Sequence, residues 1–301
     1  MPLTLREALM TADAGLIGGR PAAFMQGQPV RSIGRFAYDS IAHGCAGRIV
    51  AVVSDAVYLQ THDGEILWLA RAGVPMHRRG IICSYDENAL RVGMEFQARA
   101  ATLQIGQHVT IDLRGARLWQ PRPVSASLAA SSEAARARRS VVADALMQYA
   151  TRGHNMTIAG RRFRESFATA VRSDSATIAR LSRPLIGLGA GLTPQGDDLV
   201  GGLLFALHHL RQVYALRWDP RPVDDLLLWA RTQTNIISHT ILRDLAAGEG
   251  PEPLHDLVSA LLMHDADGDV AQCVARLAHI GHSTGEAMLA GALTGLRLHA
   301  A

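Results

Sequence analysis

A change of hydrophobic period between about residues 120 and 133 constrains the fold of this chain more than any other feature. Before it, from about Gly47 to Pro123, short β-type runs alternate with turns: Arg48 to Ser54, Ala56 to Thr61, Glu65 to Ala70, Gly80 to Ser84, Gly93 to Leu103, His108 to Leu113 and Ala116 to Trp119. Asp63-Gly64 stands between two alternating runs, a strong short-range signal for a hairpin. After Pro121 and Pro123 a Ser/Ala-rich connector, Ser125 to Ser132, leads into segments with helical spacing. These predict helices near 133–152, 162–182, 194–215, 222–247, 253–264, 268–280 and 283–298. The expected fold is α+β. An N-terminal β-rich domain, barrel-like or sandwich-like, spans 1–124, and a predominantly α-helical domain spans 125–301.

A chain of 301 residues is long enough for two such cores, and 48% hydrophobic with 19% charged residues is the balance of a folded protein. No uncharged apolar run approaches the ~20 residues that span a bilayer; Leu199 to Leu207 is closed by His208 and His209. Met1 to Met10 lacks the charge pattern and cleavage site of a secretion signal, so a cytoplasmic location and no membrane partner are expected. Cys45, Cys83 and Cys273 are far apart and form no C-x-x-C pair, which points to reduced, mostly buried thiols. The 13 histidines show no metal-binding spacing, and no G-x-S-x-G elbow is present.

All 30 basic residues are arginine. The lack of lysine excludes a Walker-type phosphate loop, a pyridoxal Schiff base and a Schiff-base aldolase, because a guanidinium does not supply a deprotonated amine. The net charge of +3 is too small to argue for nucleic acid, and the clusters Arg136-Arg138-Arg139 and Arg161-Arg162-Arg164 come with few aromatics. No nucleic-acid partner is expected.

The segment Leu185 to Gly202 carries the chemistry. Gly187, Gly189 and Gly191 alternate, which allows backbone conformations closed to other residues and lets N–H groups converge on a small anion. Thr193 has the character of an N-cap and Pro194 of a first helical residue, so the following helix adds its unpaired N–H groups and positive dipole end. Gly196 keeps the first turn free of a side chain. Asp197 and Asp198 either complement the helix dipole, or share a divalent cation such as Mg²⁺, or accept from an N–H-bearing substrate.

A second segment of this kind runs from Gly281 to Glu286. Ser283 and Glu286 have capping-box spacing, with His282, Thr284 and Gly285 between or beside them. It is either a well-capped last helix or the opposite wall of the ligand pocket, with His282, Ser283, Thr284 and Gly285 as binding residues. Between the two segments lies a polar streak, Arg231 to His239, facing a cleft or solvent.

The run G-L-G-A-G-L-T-P-Q-G-D-D followed by L-V-G-G-L-L resembles the signature of the AllH-like family, which includes a subunit of oxamate carbamoyltransferase. G-H-S-T-G at 281–285 is similar to that family's second glycine/serine motif, and Gly47-Arg48-Ile49-Val50 through Pro75 resembles its N-terminal β region. The resemblance implies an enzyme of purine and allantoin breakdown that converts oxalurate and phosphate to oxamate and carbamoyl phosphate with two other subunit types. Phosphate, carbamoyl phosphate and the oxalurate carboxylate are small anions that suit a lysine-free set of N–H donors. On this basis Asp197 or Asp198 orients the carbamoyl NH₂ or holds Mg²⁺. Three readings compete: a catalytic carbamoyltransferase subunit, a non-catalytic ligand- or partner-binding subunit, and a stand-alone metal-dependent hydrolase or nucleotide enzyme.

Overall fold

The computed structural model describes residues 25–107, 109–124, 157–168, 174–262 and 270–300. Contacts divide the chain into two compact units, one ending at Pro121 and the other resuming at Arg122. The expected connector at 125–132 and helix at 133–152 lie outside the described residues. The chain is α+β, with strands in the first unit and helices in the second.

Among the described residues the first unit contains β1 (Met25–Gly34), α1 (Arg35–Ala42), β2 (Ala46–Val52), β3 (Ala56–Thr61), β4 (Ile66–Ala70), β5 (Gly80–Cys83), β6 (Glu95–Arg99), β7 (Thr102–Ile105), β8 (Val109–Asp112) and β9 (Arg117–Trp119). They form one sheet in the order β5-β4-β3-β2-β6-β7-β8-β1-β9, and β5 also pairs with β1. The pairings therefore run around a ring of eight strands, with β9 beside the end of β1. An irregularity between Val30 and Ser32 lets β1 change partners: residues up to Pro29 run parallel to β8, and those from Val30 run antiparallel to β5. Such bulges bend a strand at a barrel corner.

The alternating burial of β6, β7 and β8 puts Phe96, Ala98, Leu103, Ile105, Val109 and Ile111 into one core with Ile49, Leu59, Leu67 and Ile81. The hairpin expected at Asp63-Gly64 is present: β3 and β4 are antiparallel, and Gly64 turns the chain at φ +88°. The single strand expected over Gly93 to Leu103 is two, because Ala100 at φ 52° reverses the chain between β6 and β7. Strand β1 and helix α1 were not anticipated from the pattern.

Among the described residues the second unit contains α2 (Ile158–Phe167), α3 (Ser175–Ser182), α4 (Gln195–Tyr214), α5 (Arg221–Ala230), α6 (Ile236–Ala246), α7 (Glu252–Leu262), α8 (Val270–Ala278) and α9 (Thr284–Ala300). The helix expected over 162–182 is two helices, since the Asp174 side chain caps a new one by accepting from the Thr177 N–H at 2.7 Å. The helix expected over 222–247 is also two. Asn235 caps α6, its side-chain oxygen accepting from the N–H groups of Ile237 and Ser238 at 3.0 and 3.1 Å.

Helix α4 is buried on nearly every side, the mark of a central helix. It meets α9 backbone to backbone: a Cβ on Gly202 would stand 2.1 Å from the Met288 carbonyl oxygen, and one on Gly291 2.0 Å from that of Leu199. The small residues at this crossing bring the first turns of α4 and α9 into the same region.

Candidate functional site

The loop before α4 is shaped by three glycines with positive φ, Gly187 at 75°, Gly189 at 132° and Gly191 at 94°. Side chains are excluded at two of them. A Cβ on Gly187 would lie 2.3 Å from the Gln233 carbonyl oxygen, and one on Gly189 2.7 Å from the Gln195 nitrogen. Gly196 leaves room for the Leu185 carbonyl oxygen, which its Cβ would meet at 1.9 Å, and its N–H donates to the Leu188 carbonyl at 2.8 Å. The N–H of Gly187 is also engaged within the chain. Among the described residues, the N–H groups of Gly189, Ala190, Gly191, Leu192 and Thr193 donate to no backbone carbonyl.

Asp197, in the first turn of α4, holds the loop from beneath. It is 2% exposed. Its Oδ1 accepts from the Gly187 N–H at 2.6 Å, and its Oδ2 accepts from the hydroxyls of Thr234 at 2.5 Å and Ser238 at 2.6 Å. Asn235 completes this anchor by donating from Nδ2 to the Leu192 carbonyl at 2.8 Å. The polar streak thus faces the loop, not an open cleft. Burial pushes the Asp197 carboxyl up from its ordinary range, while the bonds from Ser238, Thr234 and Gly187 pull it back.

Asp198, one position on, points elsewhere, as adjacent helical residues must. The hydroxyls of Thr193 and Thr284 contact each other at 2.8 Å, and Asp198 Oδ2 is buried with no hydrogen-bond partner among the described residues. Burial and the neighbouring Asp197 charge push its carboxyl well above the ordinary range, and the nearby hydroxyls of Thr284 and Thr193 oppose this.

The expected cap on α4 needs correction. Pro194, with ψ 134°, is the residue before the helix, and no side chain caps it. A residue preceding proline is pushed out of the helical region, so Thr193 turns its hydroxyl to Thr284 and not to the end of α4.

On the α9 side, His282 is exposed and Ser283 and Thr284 are half-buried. Gly285 is buried where a Cβ would stand 1.6 Å from the Leu277 carbonyl oxygen, and its N–H donates to the Ile280 carbonyl at 3.0 Å. The structure therefore brings the two glycine motifs together at Thr193 and Thr284. Thr234, Asn235 and Ser238 hold the loop, and Thr157 reaches it through Gln195, a contact with no sequence signal.

Among the described residues no three His, Cys, Asp or Glu side chains are gathered so as to hold a metal. The Asp197 carboxylate already accepts three bonds, which leaves Asp198 as a lone, buried carboxyl, a poor donor set for Mg²⁺. A groove of about 440 Å³ lies on the β unit, lined by Arg48, Gln60, His62 and Glu95 among others, and holds none of the expected ligand residues. The thiol of Cys83 is pushed up to about 12 by burial, and that of Cys45 is also raised, so neither is an activated nucleophile.

No helix of the described residues is long and apolar enough to cross a membrane. No solved structure matches the chain. The likeness noted around residues 47–75 lies outside the span that a family comparison matches, whereas both glycine motifs lie inside it. Residues 185–296 match the family model described as oxamate carbamoyltransferase subunit AllH.

Proposed function

We propose that this chain is a subunit of a carbamoyltransferase of the oxamate carbamoyltransferase type, and that the loop from Gly187 to Thr193 holds a small anion, phosphate or the oxalurate carboxylate. The observation that carries this reading is the row of N–H groups from Gly189 to Thr193 without backbone partners among the described residues, on a loop that Asp197 anchors at Gly187. The family description names a subunit, so the working enzyme is read as a hetero-oligomer.

In the conversion of oxalurate and phosphate to oxamate and carbamoyl phosphate, a phosphate oxygen attacks the carbamoyl carbon. The bond from that carbon to the oxamate nitrogen breaks, and the nitrogen takes up a proton. Charge grows on the carbamoyl oxygen during attack, and donors already fixed at that place stabilise it without reorganising. Loop N–H groups and the hydroxyls of Thr193, Ser283 and Thr284 are suited to this. Asp197 shapes the loop and does not touch substrate.

A second reading is favoured by the burial of both carboxylates. Asp197 and Asp198 are each 2% exposed, so neither is presented to a ligand, as fits a subunit that binds ligand or partners while another subunit supplies the remaining groups. Turnover separates the two. The purified chain and its complex with partner subunits are assayed with oxalurate and phosphate, and phosphate and oxamate binding are measured by calorimetry for wild type and Gly189→Ala. The first reading expects anion binding that the added Cβ removes, and turnover that falls with it. Turnover unaffected by Gly189→Ala would favour the second, and absence of anion binding in both chain and complex would sink the role of the loop.

A further inference from the structure

The groove of about 440 Å³ on the β unit has a polar lining set by strand register. Arg48 on β2 stands directly opposite Gln60 on β3 and directly opposite Glu95 on β6, so the three residues form a row across neighbouring strands on one face of the sheet. Their sequence neighbours Ile49, Leu59 and Phe96 belong to the core on the other face. His62 stays in line with the row, because its N–H still donates to the Ala46 carbonyl, at 2.9 Å, beyond the end of β3. Gly64 and Gly93, turning at φ 88° and 89°, add bare backbone to the walls, and a Cβ on either would meet nothing within 4 Å. Among the described residues the guanidinium of Arg48 makes no ion pair or hydrogen bond, although Glu95 is its cross-strand neighbour, and the side chains of Gln60, His62 and Glu95 are likewise uncommitted.

A guanidinium fork, a carboxylate and an amide within two strand spacings, roughly 10 Å, offer donors and acceptors to one small molecule. The groove's volume lies in the range of roughly 300 to 1,000 Å³ typical of small-molecule sites. We propose that the β unit carries a second ligand site, for a small carboxylic acid that also bears N–H groups, that is, an amino, amide or ureido acid: Arg48 takes its carboxylate, and Glu95 and the Gln60 carbonyl accept from its N–H groups. A bidentate contact with the fork fixes the orientation of the acid as well as matching its charge. Glu95, one strand spacing of about 4.8 Å away, selects against a simple anion, since a ligand without N–H groups would set two negative charges side by side. A neutral amide, in turn, leaves the Arg48 fork unfilled. Arg48 and Glu95 are both exposed, so water screens each contact and the ligand is a weakly held, exchanging one. The inference is independent of the loop at Gly187, which lies in the other unit.

The test is an NMR titration of the full-length protein with N-carbamoylglycine, which has both the carboxylate and the N–H groups. Acetate, with the carboxylate alone, and urea, with N–H groups alone, are the comparisons. The proteins are wild type, Arg48→Gln, Glu95→Gln and Gly189→Ala, the last of which alters the loop and leaves the groove intact. The expected result is saturable binding of N-carbamoylglycine, about tenfold or more tighter than acetate or urea, weakened about tenfold or more by either groove substitution and unaltered by Gly189→Ala. Glu95→Gln should at the same time tighten acetate binding, because the repelling charge is gone, an opposite movement that damage to the fold would not produce. Absence of saturable binding, equal affinity for acetate and N-carbamoylglycine in wild type, or binding that survives both groove substitutions overturns the inference. Each of these outcomes leaves the reading of the loop standing.

Discussion

Thr193 and Thr284, 91 residues apart in sequence, place their hydroxyl oxygens 2.8 Å from each other. This contact joins the glycine loop to the start of α9. Thr284→Val keeps the shape and removes the hydroxyl, which should cost about 1 kcal/mol of stability. If the two segments line one ligand site, the same change should also weaken oxamate or phosphate binding by about tenfold, a loss of roughly 1.4 kcal/mol. Calorimetry on the folded variant checks this. Unaltered affinity would confine the contact to packing.

The crossing of α4 and α9 makes a sharper demand on packing. A methyl group on Gly202 would stand 2.1 Å from the Met288 carbonyl oxygen, and backbone cannot move aside as a flexible side chain can. Gly202→Ala should therefore cost about 1 to 3 kcal/mol or more, in spite of the better helix propensity of alanine. Chemical denaturation measures it. A variant as stable as the parent would mean that the helices are farther apart than described.

Where the local pattern was complete, the sequence could be read directly. Asp63-Gly64 between alternating runs specifies the hairpin, and the apolar stretch after Asp198 specifies the central helix α4. Asn235 was hidden inside apolar spacing that continues on both sides, and its capping role depends partly on the Leu192 carbonyl, 43 residues earlier. The bulged strand β1 changes partners along its length, so no single alternation marks it. The glycines of the candidate site were legible because only glycine suits such φ values. The partners of Asp197 were not, since Thr234 and Ser238 lie 37 and 41 residues beyond it and no local spacing ties them to a carboxylate.

The division of the chain near Pro121 and Arg122 gives the helical unit a hydrophobic core of its own, built from α4, α9 and the helices around them. A fragment starting at Arg122 should fold alone, with a helix-dominated circular dichroism spectrum and cooperative thermal unfolding. A fragment without a cooperative transition would show that this core depends on the β unit.

His209 supplies a pH dependence. It packs in α4 against Phe205, with ring centres 4.6 Å apart, and its Nε2 lies 3.2 Å from the Gly248 carbonyl oxygen. Burial, then the neighbouring His208, lowers it from 6.5 to about 4. The unfolded chain therefore takes up this proton as pH falls below 6.5, while the folded chain resists until about 4. Acid favours the unfolded state across that window, by about 3 kcal/mol at most. The raised values of Asp197 and Asp198 act in the opposite sense, stabilising the folded state in acid and losing that contribution as pH rises. Comparison of wild type with His209→Phe in urea unfolding over this range isolates the histidine. The variant should lose less stability toward acid, and parallel curves would assign the acid sensitivity to other groups.

Replacing each aspartate of the pair by asparagine should give unequal results, because their surroundings differ. Asp197 accepts three bonds, from Gly187, Thr234 and Ser238. An amide in its place keeps one oxygen and turns an NH₂ toward a donor, so a buried N–H or hydroxyl loses its acceptor. Asp197→Asn should cost about 1 to 3 kcal/mol and lower Tm by roughly 2 to 4 °C for each kcal/mol. The loop then loses its anchor at Gly187, and anion affinity should fall about tenfold to a hundredfold. At Asp198 the exchange replaces a carboxyl, pushed upward by burial and by the Asp197 charge, with a neutral amide of the same shape. The buried Oδ2 has no hydrogen-bond partner to lose, so the stability loss should stay below about 1 kcal/mol. Thermal melts and oxamate calorimetry on both variants decide the matter. Equal losses in the two variants would show that the three bonds to Asp197 do not set it apart from Asp198.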